Sequence, residues 1–120
     1  MPELKPRVLK HYKKRNGQEP FAEWLRNLDD KKTLKQVLGR MERLKLGNLG
    51  AHRLLGPILF ELKFRSGIRI YCANIEDNII LILCTGDKNT AGEQSRDIAQ
   101  AKEYWMDFME QEQEDQDADA

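Results

Sequence analysis

The chain has 120 residues, 40% hydrophobic and 33% charged, enough for one modest core and richer in charge than the usual quarter. No apolar run approaches the ~18 residues of a membrane span, and the opening MPELKPRVLKHYKK has no apolar signal core, so a cytoplasmic protein with no membrane partner is expected. The net charge of zero hides two unlike parts. Residues 1–106 hold all 20 Lys and Arg against 13 of the 20 Asp and Glu, a net of +7, and residues 107–120 hold the other seven acids and no base. A basic body implies either a polyanionic partner or plain solvation.

In chain order, RVLKHY (residues 7–12) reads as a short strand before the breaker Asn16-Gly17. Pro20 suits a first helical position, and Phe21, Trp24, Leu25 and Leu28 follow the i, i+3, i+4, i+7 spacing of one buried helix face. Asp29 or Asp30 caps a second helix with a stripe of Leu34, Val37, Leu38, Met41 and Leu44, stopped by Gly47-Asn48. Lys32, Lys35, Arg40 and Arg43 are expected to point away from that stripe.

Residues 58–85 then switch to period two. A strand over 59–65 is followed by a second strand and by the continuously apolar Ile79–Cys84, the pattern of a central strand. After Ala91-Gly92 comes a last helix with Ile98, Ala101, Trp105 and Phe108 on its buried side. The order is β-α-α-β-β-β-α, an α+β fold in which a helical hairpin and a C-terminal helix pack on one face of a twisted, mostly antiparallel sheet. One domain is expected over residues 1–109. Residues 110–120, EQEQEDQDADA, contain no apolar residue larger than Ala and read as a disordered acidic tail. That tail is either a solubilising end or a polyanion mimic folded over the basic face.

Cys72 and Cys84 lie inside apolar runs and read as buried, reduced thiols, without disulfide or metal pairing; no cofactor is expected. The hairpin FELKFRSGIRIYC (60–72) is more constrained. A two-residue turn at Ser66-Gly67 would put Arg69 on the side of Phe64. A three-residue turn, Ser66-Gly67-Ile68, pairs Arg65 with Arg69 and Lys63 with Tyr71 and sends every apolar partner inside. Its cost is a pair of like charges directly opposed, which suggests an anion beside them.

On this reading Glu61, Lys63, Arg65, Arg69, Tyr71 and Lys88 share an open concave face, with Arg43, Lys45 and Arg53 as flanking candidates for RNA contact. Cleavage of a phosphodiester by its own 2′-hydroxyl needs a base, an acid and cations for the developing charge, and an exposed tyrosine can stack on a base. A solvated or merely polyanion-binding face is the alternative. His52 reads as a surface histidine.

The run GNLGAHRLLGPILFELKFRSGIRIYCANIEDNIILILCTGDKNT, followed by RDIAQAKEYW, resembles the RelE/ParE toxin superfamily, and within it the HigB-like addiction-module killer branch. Residues 21–105 carry the resemblance. It implies a compact toxin with a twisted antiparallel sheet, neutralised by a helix-turn-helix antitoxin. It also implies a metal-independent mRNA interferase acting on mRNA at the ribosome. By position, Arg69 matches the arginine of the G-x-R turn, Tyr71 the aromatic after it, Lys88 the lysine of GDK, Arg65 the end of the ELR strand and Arg53 the basic residue after GNxG, with Lys63 a softer match. Two other outcomes stay open: a gyrase-inhibiting toxin, and a module that binds RNA or antitoxin without activity.

Overall fold

The computed structural model describes residues 5–87 and 90–118. Its elements are β1 (Val8–His11), α1 (Pro20–Arg26), α2 (Lys31–Lys45), β2 (His52–Leu54), β3 (Leu59–Lys63), β4 (Arg69–Glu76), β5 (Ile79–Gly86) and α3 (Ala91–Ala118). The five strands form one sheet in the order β1-β5-β4-β3-β2, with β1 parallel to β5 and every other pair antiparallel. The α+β class and the mostly antiparallel sheet are as the periodicity predicts. Strand β2 is an addition: three exposed residues carry no alternation to reveal it.

The helices do not share one face of the sheet. Phe21, Val37, Met41 and Leu44 of α1 and α2 pack on Phe60, Leu62, Ile70, Cys72, Ile80 and Ile82. On the other side, Ala101 with Ile98, Tyr104, Trp105 and Phe108 of α3 packs on Leu59, Tyr71, Ala73, Leu81, Leu83 and Cys84. Strands β4 and β5 are therefore covered twice, which explains the unbroken apolar run of β5. Each fully buried Leu, Ile or Phe contributes roughly 1.5–3 kcal/mol. The two cysteines fall on opposite sides of the sheet, free and buried.

Local chemistry sets the helix ends. Asp30 caps α2, its carboxylate accepting from Lys32 N at 3.0 Å and from Thr33 Oγ1 at 2.7 Å. Beyond α2, Gly47 takes φ +91°, and a Cβ there would stand 2.1 Å from the Lys5 carbonyl oxygen. Only glycine lets the N-terminal segment lie against this helix end, where Arg7 N donates to Lys45 O at 2.7 Å.

Two expectations about α2 and α3 need correction. Leu38 is 46% exposed, and Arg40 takes its place in the buried stripe with Val37, Met41 and Leu44. Of residues 110–120, read as a disordered tail, 110–118 continue α3 as helix and 119–120 lie outside the described residues. Glu and Gln are good helix formers, and this segment has a docking surface. Arg15 donates to Asp107 and, through both terminal nitrogens, to Glu114 at 2.7 and 3.0 Å, while Gln111 Nε2 reaches Lys13 O at 3.1 Å. Positions 107, 111 and 114 are i, i+4, i+7, so one helical face meets the segment after β1. Among the described residues the acidic end pairs with Lys10 and Arg15, and no ion pair joins it to the cations of the β3–β4 hairpin.

Candidate nucleic-acid interface

The β3–β4 turn has three residues, shifted by one from the expected position. Phe64 N donates to Ile68 O at 3.1 Å and Gly67 N to Phe64 O at 3.0 Å, so the loop is Arg65-Ser66-Gly67. Gly67 has φ +97°. A three-residue hairpin loop ends on a residue with positive φ, and glycine takes that place most easily. The shift moves each pairing by two, which leaves the faces unchanged. Lys63 stands opposite Arg69, and Glu61 opposite Tyr71. Arg65 is an exposed turn residue and does not face Arg69.

Arg53, Glu61, Lys63, Arg69 and Tyr71 share the side of the sheet that α3 covers. They are not equally open. Lys63 is exposed at the strand end, Arg69 is 22% exposed, and Tyr71 and Glu61 are 1% exposed. The expected stacking of Tyr71 on a base is thus corrected: α3 and the strands already bury its ring. Burial first, then the charges of Glu61 and Asp97, push its phenol up to about 12. Among the described residues its hydroxyl has no hydrogen-bond partner. Lys88 lies outside the described residues.

The buried Glu61 carboxylate sits between two arginines from neighbouring strands. Arg53 Nε is 3.0 Å from one oxygen and Arg69 Nε 3.9 Å from the other. Asp97 of α3 closes the same corner: it lies where a Cβ on Gly86 would come within 2.5 Å of its Oδ2 and 3.4 Å of the Tyr71 ring. Gly86, strand partner of Arg69, has no side chain, and that lets a carboxylate rest on the sheet there.

Around the hairpin tip, the polarity of the surface changes. A groove of about 440 Å³ between α2 and the β3–β4 turn is lined by Lys35, Gln36, Gly39, Arg40, Arg43, Ala51, Lys63, Phe64, Arg65 and Ser66. Five of these are cations and none is an acid. Four present exposed charge. The fifth, Arg40, is structural: its guanidinium donates to the carbonyls of Leu49, Ala51 and Lys63 and lies 5.0 Å from the Phe64 ring centre. Burial, and then the Arg43 charge, lower its pKa. Gly50, at φ +65°, packs on this guanidinium, and the Asn48 side chain accepts from Gly50 N at 3.0 Å. The LGNLG stretch is thus a loop wrapped on Arg40.

The remaining candidates separate. Arg43 lines the groove; Lys45 does not, and pairs with Glu42 at 3.1 Å. Arg53 is joined to Glu61 and half exposed. His52 is an exposed β2 residue whose Nδ1 lies 2.8 Å from Gly50 O. Sequence reasoning missed Lys35 and the burial of Glu61 and Arg40. Lys35 had a visible signal, an i, i+4, i+8 row with Gly39 and Arg43 along α2; the burial of the other two depends on tertiary partners. Among the described residues, no group of three or more His, Cys, Asp or Glu comes together that could hold a metal ion, and no helix is long and apolar enough to cross a membrane.

Fold and site together define an α+β chain with a cationic groove at the hairpin end of its sheet. No family model matches the chain. It is 34% identical over 84 residues to an uncharacterized protein of Haemophilus influenzae, across 68% of this chain and 82% of that one. The chain belongs to the same family as that protein.

Proposed function

We propose that this chain is the toxin of a type II toxin–antitoxin pair, of the RelE/ParE superfamily and its HigB-like branch, acting in the cytoplasm as a metal-independent mRNA interferase on translating ribosomes. The observation that carries the reading is the groove lined by five cations and no acid, one of which, Lys63, stands opposite Arg69 on the adjacent strand. A row of Lys and Arg without acids suits a phosphate backbone, and it stabilises charge that develops on a phosphoryl oxygen. In this reading Arg65 and Arg69 hold the scissile phosphate. Lys63 or Lys88 serves proton transfer as the 2′-oxygen bonds to phosphorus and the 5′-oxygen leaves with a proton. A helix-turn-helix antitoxin is the proposed neutralising partner.

A second reading has its own support. Tyr71 is buried and Arg69 is shared with Glu61, which favours a module that binds RNA or antitoxin without cleaving. Induced expression followed by mapping of mRNA 5′ ends separates the readings. The interferase reading expects growth arrest and discrete cuts, both lost in Arg69→Ala. Full toxicity of Arg69→Ala overturns the assignment. Arrest with intact mRNA and a DNA-damage response points to gyrase, and no arrest points to the binding module.

A further inference from the structure

Glu61 is a fully buried carboxylate between two arginines, and nothing in the hydrophobic pattern requires it there. A buried ion pair is costly to desolvate and is weak evidence for stability, so its geometry needs another account. Its two oxygens face two different strands. Oε1 is 3.0 Å from Arg53 Nε on the edge strand β2, and Oε2 is 3.9 Å from Arg69 Nε on β4. The two arginines differ in freedom: the Arg53 side chain is 49% exposed and that of Arg69 is 22% exposed.

We infer that Glu61 is a positioning residue: it fixes the Arg69 guanidinium toward a bound phosphodiester and holds Arg53 as an exchangeable partner that turns from Glu61 to phosphate when nucleic acid docks. The inference rests on the proposed RNA-directed function. Both arginines make charge contacts without a hydrogen bond to the Glu61 oxygens. A guanidinium has five donors in a rigid fork, so Nε can stay beside the carboxylate while a terminal nitrogen meets a phosphate oxygen. Arg69, the less exposed of the two, is the more confined member. Arg53, on the open edge, is the mobile one. Glu61 also cancels one of the two charges in the free protein, which limits non-productive grip on RNA.

The test is Glu61→Gln, which keeps the shape and removes the charge, with Arg53→Gln/Glu61→Gln as the charge-compensated control. A single-stranded poly(U) oligomer supplies the binding readout at several salt concentrations. Glu61→Gln is expected to bind more tightly, with a log–log salt slope steeper by about one. Its RNA cleavage at saturation is expected to be slower by about tenfold or more, because the held guanidinium loses its orientation. The double variant is expected to return the salt slope to that of the parent while cleavage stays low. Tighter binding with slower cleavage is a split that simple destabilisation does not produce.

Arginine Nε–Hε NMR signals give a readout independent of RNA. The parent protein is expected to show protected signals for Arg53 and Arg69, both exchanging faster in Glu61→Gln. Unchanged arginine signals, or an unchanged salt slope and cleavage rate, overturn the inference. If Glu61→Gln does not fold, unprotected Arg53 and Arg69 signals in the parent overturn it alone. A parent that neither binds nor cleaves RNA sinks the proposed function, and the arginine signals then decide the Glu61 inference separately.

Discussion

Lys63 and Arg69 stand directly opposite each other on β3 and β4. Like charges in that relation oppose strand pairing, by a few tenths to about 1 kcal/mol. Lys63→Thr is therefore expected to raise stability by about 0.5 kcal/mol in urea unfolding. The same change is expected to weaken RNA binding and lower its salt slope by about one. A variant that gained stability with unaltered RNA affinity would show that the opposed charges serve no ligand.

Arg40 makes the opposite trade. Its guanidinium donates to three carbonyls, those of Leu49 and Ala51 in the loop and of Lys63 at the end of β3. Replacing it with Met removes these charge-assisted hydrogen bonds, at roughly 3 kcal/mol. Thermal and urea unfolding of Arg40→Met measure this. Stability within about 0.5 kcal/mol of the parent would contradict the buried geometry.

Gly47 offers a sharper backbone test. Alanine meets both a positive φ and the Lys5 carbonyl, which a rotamer change cannot relieve. Gly47→Ala is expected to cost roughly 1–3 kcal/mol, and Gly39→Ala, with open space around the added methyl, to stabilise α2 slightly.

Acid should release the far end of α3. The hydrogen bond from Tyr12, with those from Gln111 and Arg15, holds Asp107 below the ordinary carboxylate range, and the Arg15 bonds do the same for Glu114. Groups with depressed folded-state pKa values contribute stability above their unfolded values and lose it as pH falls through the folded ones. The pairing of α3 with the segment after β1 is thus intact at neutral pH and weakens progressively as pH falls below the ordinary carboxylate range. Amide exchange over residues 107–118 is expected to accelerate in that window before the sheet opens, and Arg15→Ala to bring the same loosening at pH 7. Protection that does not change from pH 7 to pH 3 would contradict it.

The order of strands and helices was legible because periods of 2 and 3.6 are written into the apolar positions. What was not legible had tertiary causes. Three exposed residues of β2 carry no period, so the strand that brings Arg53 to Glu61 could not be seen. The turn slipped by one because Gly67, and not Ile68, takes the last loop place. Tyr71 looked solvent-facing from its alternation, but α3 covers that side of the sheet. The acidic tail became helix because Arg15, distant in sequence, gave it a surface.

The parallel pairing of β1 with β5 has a consequence for how the chain is made. Val8–His11 leaves the ribosome well before its neighbour Ile79–Ile82, and α3 then closes on the segment after β1 through Arg15. Such a late, long-range closure is slow to form. A nascent chain short of β5 therefore has β2, β3 and β4 at hand but no seat for its first strand. The basic hairpin can be assembled before the sheet is shut.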